Sequence, residues 1–254
     1  MKKFRHITAI LSLVAVSAVF DSCSKSFLEK PVLGSLSEEV LANDKGLQRL
    51  LIGTYAALDG QNVGGGTWES APDNWIYGSV AGADAHKGSD ATDQPPIDRI
   101  GTGNSDPSNG FFNAKWVANY EGIARANAVL RVAALAEDIS AENLKLYQGE
   151  ARFLRAHYYF DLKKMFNMVP YVDETVDYGT GIDKVPNNVD IWSKIEADFK
   201  YAQDNLPATQ SSVGRANKWA AAAYLAKAGY EVEVFEKNPE IGGRARQLEV
   251  AEGY

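Results

Sequence analysis

Apolar side chains recur at three- and four-residue intervals along five stretches of this chain, and each stretch predicts an amphipathic helix. The first helix is expected over residues 44–58, with Asn43 or Asp44 as its N-cap and Gly60 as its stop. The other four are expected at 112–135, at 141–168 after a Ser140 cap, at 191–206 after an Asp190 cap, and from about 217 to 225.

Between residues 61 and 110 the helical pattern stops, and Gly, Asp, Ser, Asn and Pro dominate. Helix-breaking pairs such as Pro95-Pro96 favour turns there. The segment therefore predicts a long, loop-rich insertion. Loops of this length in a compact protein are usually functional or disordered, and the aromatic residues of this segment argue against plain disorder.

The helices are expected to pack as antiparallel pairs. Small residues alternate with aromatic ones in the segment 149–160, which is the pattern that closely crossing helices need. This indicates a helical-repeat stack of tetratricopeptide type, although no strict repeat of 34 residues is visible. The predicted fold class is mostly α, with tetratricopeptide-like helix pairs over residues 44–225 that carry the insertion 61–110.

The N-terminus has the pattern of an export signal. Basic residues precede an apolar run from Ile7 to Phe20, which is shorter than the roughly 20 apolar residues that a membrane-spanning helix needs. A short basic stretch before a short apolar stretch is typical of a bacterial secretory signal. Residues 1–22 are therefore predicted to be a signal peptide, followed by a polar tether over residues 23–43.

Cys23 is the only cysteine of the chain and directly follows the predicted signal. Its position predicts lipidation as the first residue of a mature lipoprotein, since a free thiol on an exported protein would be exposed and reactive. The match to a lipobox is partial, because Phe20 and Asp21 depart from it and Ser22 fits. The alternative is cleavage after residues 16–18, which would leave Cys23 as a free thiol.

Charge and spacing narrow the classes of function. The 254 residues carry a formal net charge of −7, so the chain lacks the basic footprint of a nucleic-acid-binding protein. After the signal, no segment is apolar and long enough to span a bilayer, which leaves a lipid anchor as the expected membrane contact. The histidines fall at no metal-binding spacing, and His157 is expected to pack between helices.

Six segments, taken in chain order, match one known family. They are CSKSFLEKP after the signal, GLQRLLIGTYAALDG in the first helix, NWIYGSVAGADAHKGSD in the insertion, YEGIARANAVL, AENLKLYQGEARFLRAHYYFDLKKMFNMVPYV and GRANKWAAAAYLAK. Over residues 1–225 the chain resembles the N-terminal half of the SusD/RagB family, which are outer-membrane lipoproteins of Bacteroidetes.

The resemblance implies a lipid-anchored protein on the outer face of the outer membrane that is not an enzyme. Members of the family bind glycans or other nutrients. They work with a TonB-dependent transporter of SusC type in oligosaccharide uptake. Family members extend well beyond the segments matched here, so the resemblance also implies a truncated SusD-like protein whose C-terminal half is replaced.

The insertion offers candidate ligand-binding residues. Sugar rings have apolar C–H faces that pack on aromatic rings, and their hydroxyls need polar partners for orientation. The candidates are Trp68, Asn74, Trp75, Tyr77, Asp84 and Lys87. The alternative for each aromatic residue is that it attaches the insertion to the helices.

The last residues, 226–254, differ from the rest. They resemble the N-terminal FAD-binding region of flavoenzymes of the phytoene desaturase and amine oxidase type. The resemblance implies a short β-strand that ends at Glu236, whose carboxylate would hold the adenosine ribose. Gly242, Gly243 and Arg244 would approach the pyrophosphate. We expect a short β-containing tail that is not an independent domain.

The flavin site of this tail is incomplete in the sequence. A dinucleotide fold needs a G-x-G-x-x-G turn roughly 20 residues before the acidic group. At about that distance before Glu236 the sequence has a single glycine, Gly214, and no apolar strand precedes it. We therefore expect no flavin or other cofactor. The alternatives to a glycan-binding protein are a flavin-dependent oxidoreductase fragment and a non-functional hybrid joined near residues 220–228.

Overall fold

A computed structural model describes residues 37–59, 74–88, 90, 92–177 and 179–229. These residues are mostly α-helical and include no β-strand. The α-helices are α1 (Glu38–Leu41), α2 (Asp44–Ala56), α3 (Pro95–Gly101), α4 (Gly110–Ala134), α5 (Ala141–Phe166), α6 (Trp192–Asn205) and α7 (Lys218–Lys227). A π-helix (Ile76–Val80) precedes α3, and a short 3-10 helix (Ile182–Lys184) precedes α6. The predicted mostly-α fold class is confirmed.

Several predictions fall outside the described residues. These are the signal peptide 1–22, the lipidation of Cys23, the candidate ligand residue Trp68, and the β-strand and flavin-like residues of the tail beyond Gly229. The predicted tether 23–43 is described only at its end, where α1 lies. The Glu38 carboxylate of α1 accepts a hydrogen bond from Nε of Arg131 at 2.9 Å, which joins this short helix to α4.

Side-chain caps fix where the helices begin. Asn43 and Ser140 each accept a hydrogen bond from the backbone N–H three residues later, at 3.1 and 3.2 Å, as predicted. The Asp190 carboxylate accepts one from the N–H of Trp192 at 3.1 Å, so it holds the start of α6 from two residues away. Helix α2 ends before the predicted stop at Gly60, which lies outside the described residues.

Successive helices pack against one another to form the main core. Helix α4 packs on α5, α5 on α6 and α6 on α7, while α2 lies against both α4 and α5. The apolar stripe of each helix faces this shared core, which confirms the predicted stack of helix pairs. Its largest fully buried side chains include Leu47, Leu51, Ile123, Leu154, Tyr159, Ile195, Phe199 and Leu225.

A glycine allows α4 and α5 to approach closely. A Cβ atom added at Gly122 would lie 2.5 Å from ring atoms of Tyr158, which is far inside van der Waals contact. That ring is held in place, because the Tyr158 hydroxyl donates a hydrogen bond to the carbonyl of Thr54 at 2.7 Å. The small residue at the helix crossing is thus a requirement of the packing.

We expect Gly122→Ala to destabilise the protein, since overpacking a rigid contact costs roughly 1–3 kcal/mol. Gly53→Ala, in α2, is the matched control, because a Cβ atom there meets nothing within 4 Å. That change should stabilise the helix by about 0.5–1 kcal/mol. Urea unfolding followed by circular dichroism measures both changes, and equal shifts of the two midpoints would contradict the prediction.

The described part of the insertion 61–110 contains two helices where the sequence predicts loops. The π-helix and α3 share a small second core, made of Ile76, Val80, Ile97, Ile100 and Phe111. The prolines at positions 95 and 96 act as helix starters here. They occupy the first turn of α3, where a missing N–H costs no intrahelical hydrogen bond.

Among the residues that the structure describes, no helix combines the length and the apolar character needed to span a membrane.

Candidate functional site

A cavity of about 720 Å³ opens where the insertion meets the main helices. The insertion contributes Asn74, Tyr77, Gly78, Ala81, Ile100, Gly103 and Ser105 to its wall. Three main helices contribute the other side: Phe112 and Lys115 from α4, Asp161, Lys164 and Met165 from α5, and Lys227 from α7. The volume falls in the range of small-molecule sites, which is roughly 300–1,000 Å³.

Tyr77 is held firmly in the wall of this cavity. Its hydroxyl donates a hydrogen bond to the carbonyl of Phe111 at 2.8 Å, which connects the π-helix to the start of α4. The ammonium nitrogen of Lys115 lies 5.8 Å from the centroid of the Tyr77 ring. The ring is therefore a fixed aromatic surface with a cation beside it.

Asp161 is the one acidic residue among the described residues that line the cavity. Its carboxylate lies 2.9 Å from Nζ of Lys164, one turn along α5. Burial acts to raise the pKa of Asp161, but the positive charges of nearby groups outweigh it and the pKa is lowered. Asp161 is therefore ionised at neutral pH and can accept hydrogen bonds.

His157 lies on α5, one turn before Asp161, and is partly buried. Its Nδ1 is 2.7 Å from the hydroxyl oxygen of Tyr224 on α7, and its ring meets the Tyr158 ring edge-on. Burial lowers the pKa of His157, and the lysines of the cavity wall add to this. The ring is thus neutral at pH 7 and joins α5 to α7, in agreement with the helix-packing role expected from the sequence.

The structure brings together two of the predicted ligand residues, Asn74 and Tyr77, in the cavity wall. Trp75 lies between them in sequence but is not part of the wall, and its side chain is 37% exposed. Asp84 is exposed on the insertion, also away from the wall.

Lys87 makes its described contacts within the insertion. Its ammonium group donates to the carbonyl of Asp90 at 2.7 Å and to the carbonyl of Asp93, and it lies 3.6 Å from the Asp98 carboxylate. These bonds connect the segment after the π-helix to α3. Lys87 therefore supports the shape of the insertion, and its contact with a ligand stays a prediction.

The basic residues of the cavity were not found from the sequence. Lys115, Lys164 and Lys227 come from three helices that are far apart in the chain, so no local motif joins them. One signal was available for Lys115. It shares the buried face of α4 with Phe111 and Ala118, at helical spacing, and a lysine on such a face is unusual unless it has a specific role.

The part of the chain that the structure describes contains no group of three or more His, Cys, Asp or Glu residues that could hold a metal ion. The acidic residues of the insertion, such as Asp90, instead accept hydrogen bonds from neighbouring hydroxyl and backbone groups.

Comparison with known proteins assigns the fold. A family model described as SusD-like, starch-binding and associating with the outer membrane, matches residues 79–229. The chain belongs to the SusD-like family. The match begins after α2 and includes helices α3 to α7, together with part of the insertion that walls the cavity.

The relatives of this SusD-like chain are longer. SusD-like protein P2 of Formosa agariphila is 35% identical over 135 residues, which are 52% of this chain and 26% of that protein. The chain therefore spans about a quarter of the curated relative it matches.

Solved structures show the same fold. Surface glycan-binding protein A from Bacteroides uniformis superposes with a TM-score of 0.62 at 24% identity, over 73% of this chain and 41% of that one. The corresponding protein from Bacteroides thetaiotaomicron, solved in complex with laminarihexaose, gives a TM-score of 0.58 at 22% identity, over 73% of this chain and 38% of that one.

A second family model, for an NAD(P)-binding Rossmann-like domain, matches residues 219–254. Of these, the structure describes residues 219–229, which form most of α7. Three residues of that helix, Ala221, Ala222 and Leu225, are buried. The described part of this segment is thus packed into the helical body.

Proposed function

We propose that this SusD-like chain is a non-catalytic glycan-binding protein. The observation that carries the proposal is the family match over residues 79–229 together with the cavity between the insertion and the main helices. The cavity has the volume of a small-ligand site and includes a fixed aromatic ring, Tyr77, beside polar groups. Such a ring can pack on the apolar face of a sugar, while amide and carboxylate groups bind its hydroxyls.

We further propose that the protein is a surface-exposed lipoprotein of the outer membrane that works with a SusC-like TonB-dependent transporter in oligosaccharide uptake. The sequence supports this through the export signal and Cys23. The family is described as associating with the outer membrane, which agrees with a lipid anchor. Labelling cells with a radioactive fatty acid tests the anchor, since Cys23→Ser should abolish incorporation into this protein.

The glycan proposal is tested by affinity electrophoresis of the full chain, purified in mild detergent, through gels that contain neutral or acidic polysaccharides. Slower migration in at least one gel supports the proposal. Unchanged migration in every gel of a broad panel, by protein that unfolds cooperatively, would overturn it. Cooperative unfolding is required as a control because a chain that is already unfolded would not bind any glycan.

Trp75→Ala is expected to weaken glycan retention by roughly two- to twelve-fold, since one aromatic contact is worth about 0.5–1.5 kcal/mol. Trp219→Ala is the matched control. Both residues are exposed, at 37% and 42%. Trp75 lies on the insertion, next in sequence to the wall residue Asn74, whereas Trp219 lies on α7. Retention on polysaccharide gels measures the effect. If Trp75→Ala and Trp219→Ala behave alike, Trp75 is not a ligand residue.

The match to an NAD(P)-binding domain favours a second function, that of a flavin- or nicotinamide-dependent oxidoreductase fragment. We propose instead that residues 226–254 are joined to the SusD-like part without binding a dinucleotide. The support is the burial of α7 in the helical body and the single Gly214 where the sequence would need a glycine-rich turn. Release of a flavin or nicotinamide cofactor when the purified protein is denatured would favour the oxidoreductase.

A further inference from the structure

We propose that the cavity selects saccharides that carry an anionic group, either a uronate carboxylate or a sulfate ester. This inference rests on the proposed glycan-binding function and names its substrate class. The shared chemistry is a negatively charged oxygen cluster on a sugar ring, placed between the lysines of the cavity wall.

The first argument is the charge of the wall. Among the residues that the structure describes, the cavity wall contains Lys115, Lys164 and Lys227 and one carboxylate, Asp161, which together carry a formal charge of +2. The whole chain has a formal net charge of −7. The positive wall is therefore a local feature that opposes the overall charge, and it does not follow from composition.

The second argument is that two of the ammonium groups of the wall lie near the same aromatic ring. Nζ of Lys164 lies 4.6 Å from the centroid of the Phe160 ring, and Nζ of Lys227 lies 5.7 Å from the same centroid. The Asp161 carboxylate pairs with Lys164 at 2.9 Å, so Lys227 adds a positive charge that this pair does not balance. An anion bound near Lys227 would balance that charge, whereas a neutral sugar would not.

The third argument is that Lys115 is largely shielded from solvent, so water screens its charge weakly. The Lys115 residue is only 4% exposed, although its side chain reaches the cavity wall. A partly desolvated cation interacts more strongly with an anion than an exposed one does.

The remaining wall suits a sugar and not merely a small anion. Tyr77 and Phe112 provide aromatic surface, and Asn74 provides an amide that can bind hydroxyl groups. Asp161 is ionised and paired with Lys164, so it can accept hydrogen bonds from sugar hydroxyls. A free phosphate or sulfate ion would use the lysines but would leave the rings and the volume unused.

The test measures binding of the full chain, in mild detergent, to three probes: polygalacturonate, which carries only carboxylates, dextran sulfate, which carries only sulfate esters, and neutral laminarin. We expect at least one of the acidic probes to bind more tightly than laminarin. Raising the sodium chloride concentration should weaken acidic binding and leave laminarin binding unchanged, because salt screens charge. The acidic probe that binds more tightly identifies a carboxylate or a sulfate as the recognised group.

Lys227→Gln and Lys218→Gln form a matched pair. Both lysines are exposed residues of α7 and both changes remove one charge, but only Lys227 lines the cavity. Lys227→Gln should lower acidic affinity by roughly five-fold, and Lys227→Arg should restore most of it. Lys218→Gln should leave acidic affinity unchanged and should bind laminarin as the parent does, since Lys218 does not line the cavity.

The outcomes separate this inference from the proposed function. If laminarin binds as tightly as the acidic probes and Lys227→Gln has no effect, the inference is overturned while glycan binding stands. If Lys218→Gln weakens acidic binding as much as Lys227→Gln does, the attraction is diffuse and the cavity is not its source. If no polysaccharide of any charge binds, the proposed function fails and the inference fails with it.

Discussion

Asp198→Ala is expected to lower the free energy of unfolding by about 3–5 kcal/mol, because it leaves a buried guanidinium without its main partner. Nε and Nη2 of Arg155 donate to the two carboxylate oxygens of Asp198 at 2.7 and 2.9 Å. Both side chains are only 3% exposed. Removing the carboxylate keeps the cost of burying the cation and deletes the interaction that offsets it.

This ion pair belongs to a network that joins most of the helical body. Nη1 of Arg155 also donates to the Asn127 side chain on α4 at 2.9 Å and to the Glu174 carboxylate in the connection before α6. Burial acts to lower the pKa of Arg155, but the hydrogen bonds and charge of Asp198 outweigh it and the pKa is raised. Loss of Asp198 should therefore loosen α4, α5 and α6 together.

Asp204→Ala is the matched control on the same helix. Asp204 pairs with Lys200 one turn away, but the two side chains are 52% and 57% exposed. Exposed pairs of this kind contribute roughly 0.3–0.5 kcal/mol. Urea unfolding gives both values, and Asp198→Asn provides an intermediate variant should the alanine variant fail to fold. A loss for Asp198→Ala as small as that for Asp204→Ala would show that Arg155 finds water or another partner.

Local signals in the sequence predicted much of the helical body. Asn43 and Ser140 cap the helices that follow them because a side-chain oxygen within three residues can satisfy an exposed N–H, whatever the rest of the fold does. The apolar stripe of each helix likewise needs only its own spacing to be recognised. Such features depend on neighbours in sequence and are therefore visible there.

The structure of the insertion was harder to predict because it depends on contacts between residues that are distant in sequence. Ile76, Ile97 and Phe111 are too sparse to form a helical stripe, and they make a core only when three segments meet. From the sequence alone Pro95 predicts a break in a helix, yet α3 begins at this residue. Composition alone therefore predicted loops where the structure has two helices.

The candidate site was predicted only in part, for the same reason. Tyr77 and Asn74 were found because aromatic and amide residues in a long insertion are typical of ligand contacts. Lys115 and Lys227 were missed because more than a hundred residues separate them, and no spacing rule connects α4 with α7. A site assembled from three helices needs the fold before it can be recognised.

Phe199→Ala is expected to destabilise the protein by about 3–5 kcal/mol, which is the usual cost of truncating a buried phenylalanine to alanine. Phe199 is 0% exposed and lies at the centre of an aromatic cluster. Its ring stacks on Tyr224 with centroids 4.9 Å apart and meets Phe153 and Phe160 at 5.6 and 6.4 Å. The cavity left behind would lie among rings that cannot easily close it.

The cluster also connects this core position with the candidate site. The Phe160 ring also lies near the ammonium groups of Lys164 and Lys227, so the ring beside Phe199 supports the positive wall of the cavity. We therefore expect Phe199→Ala to weaken binding of acidic saccharides as well as stability, whereas Val213→Ala, at a fully exposed position, should change neither. Thermal unfolding should show a midpoint lower by roughly 10 °C for Phe199→Ala. A cavity variant that melts near the parent would mean that α6 and α7 shift to fill the space, and its acidic-glycan binding would then show whether the lysines move with them.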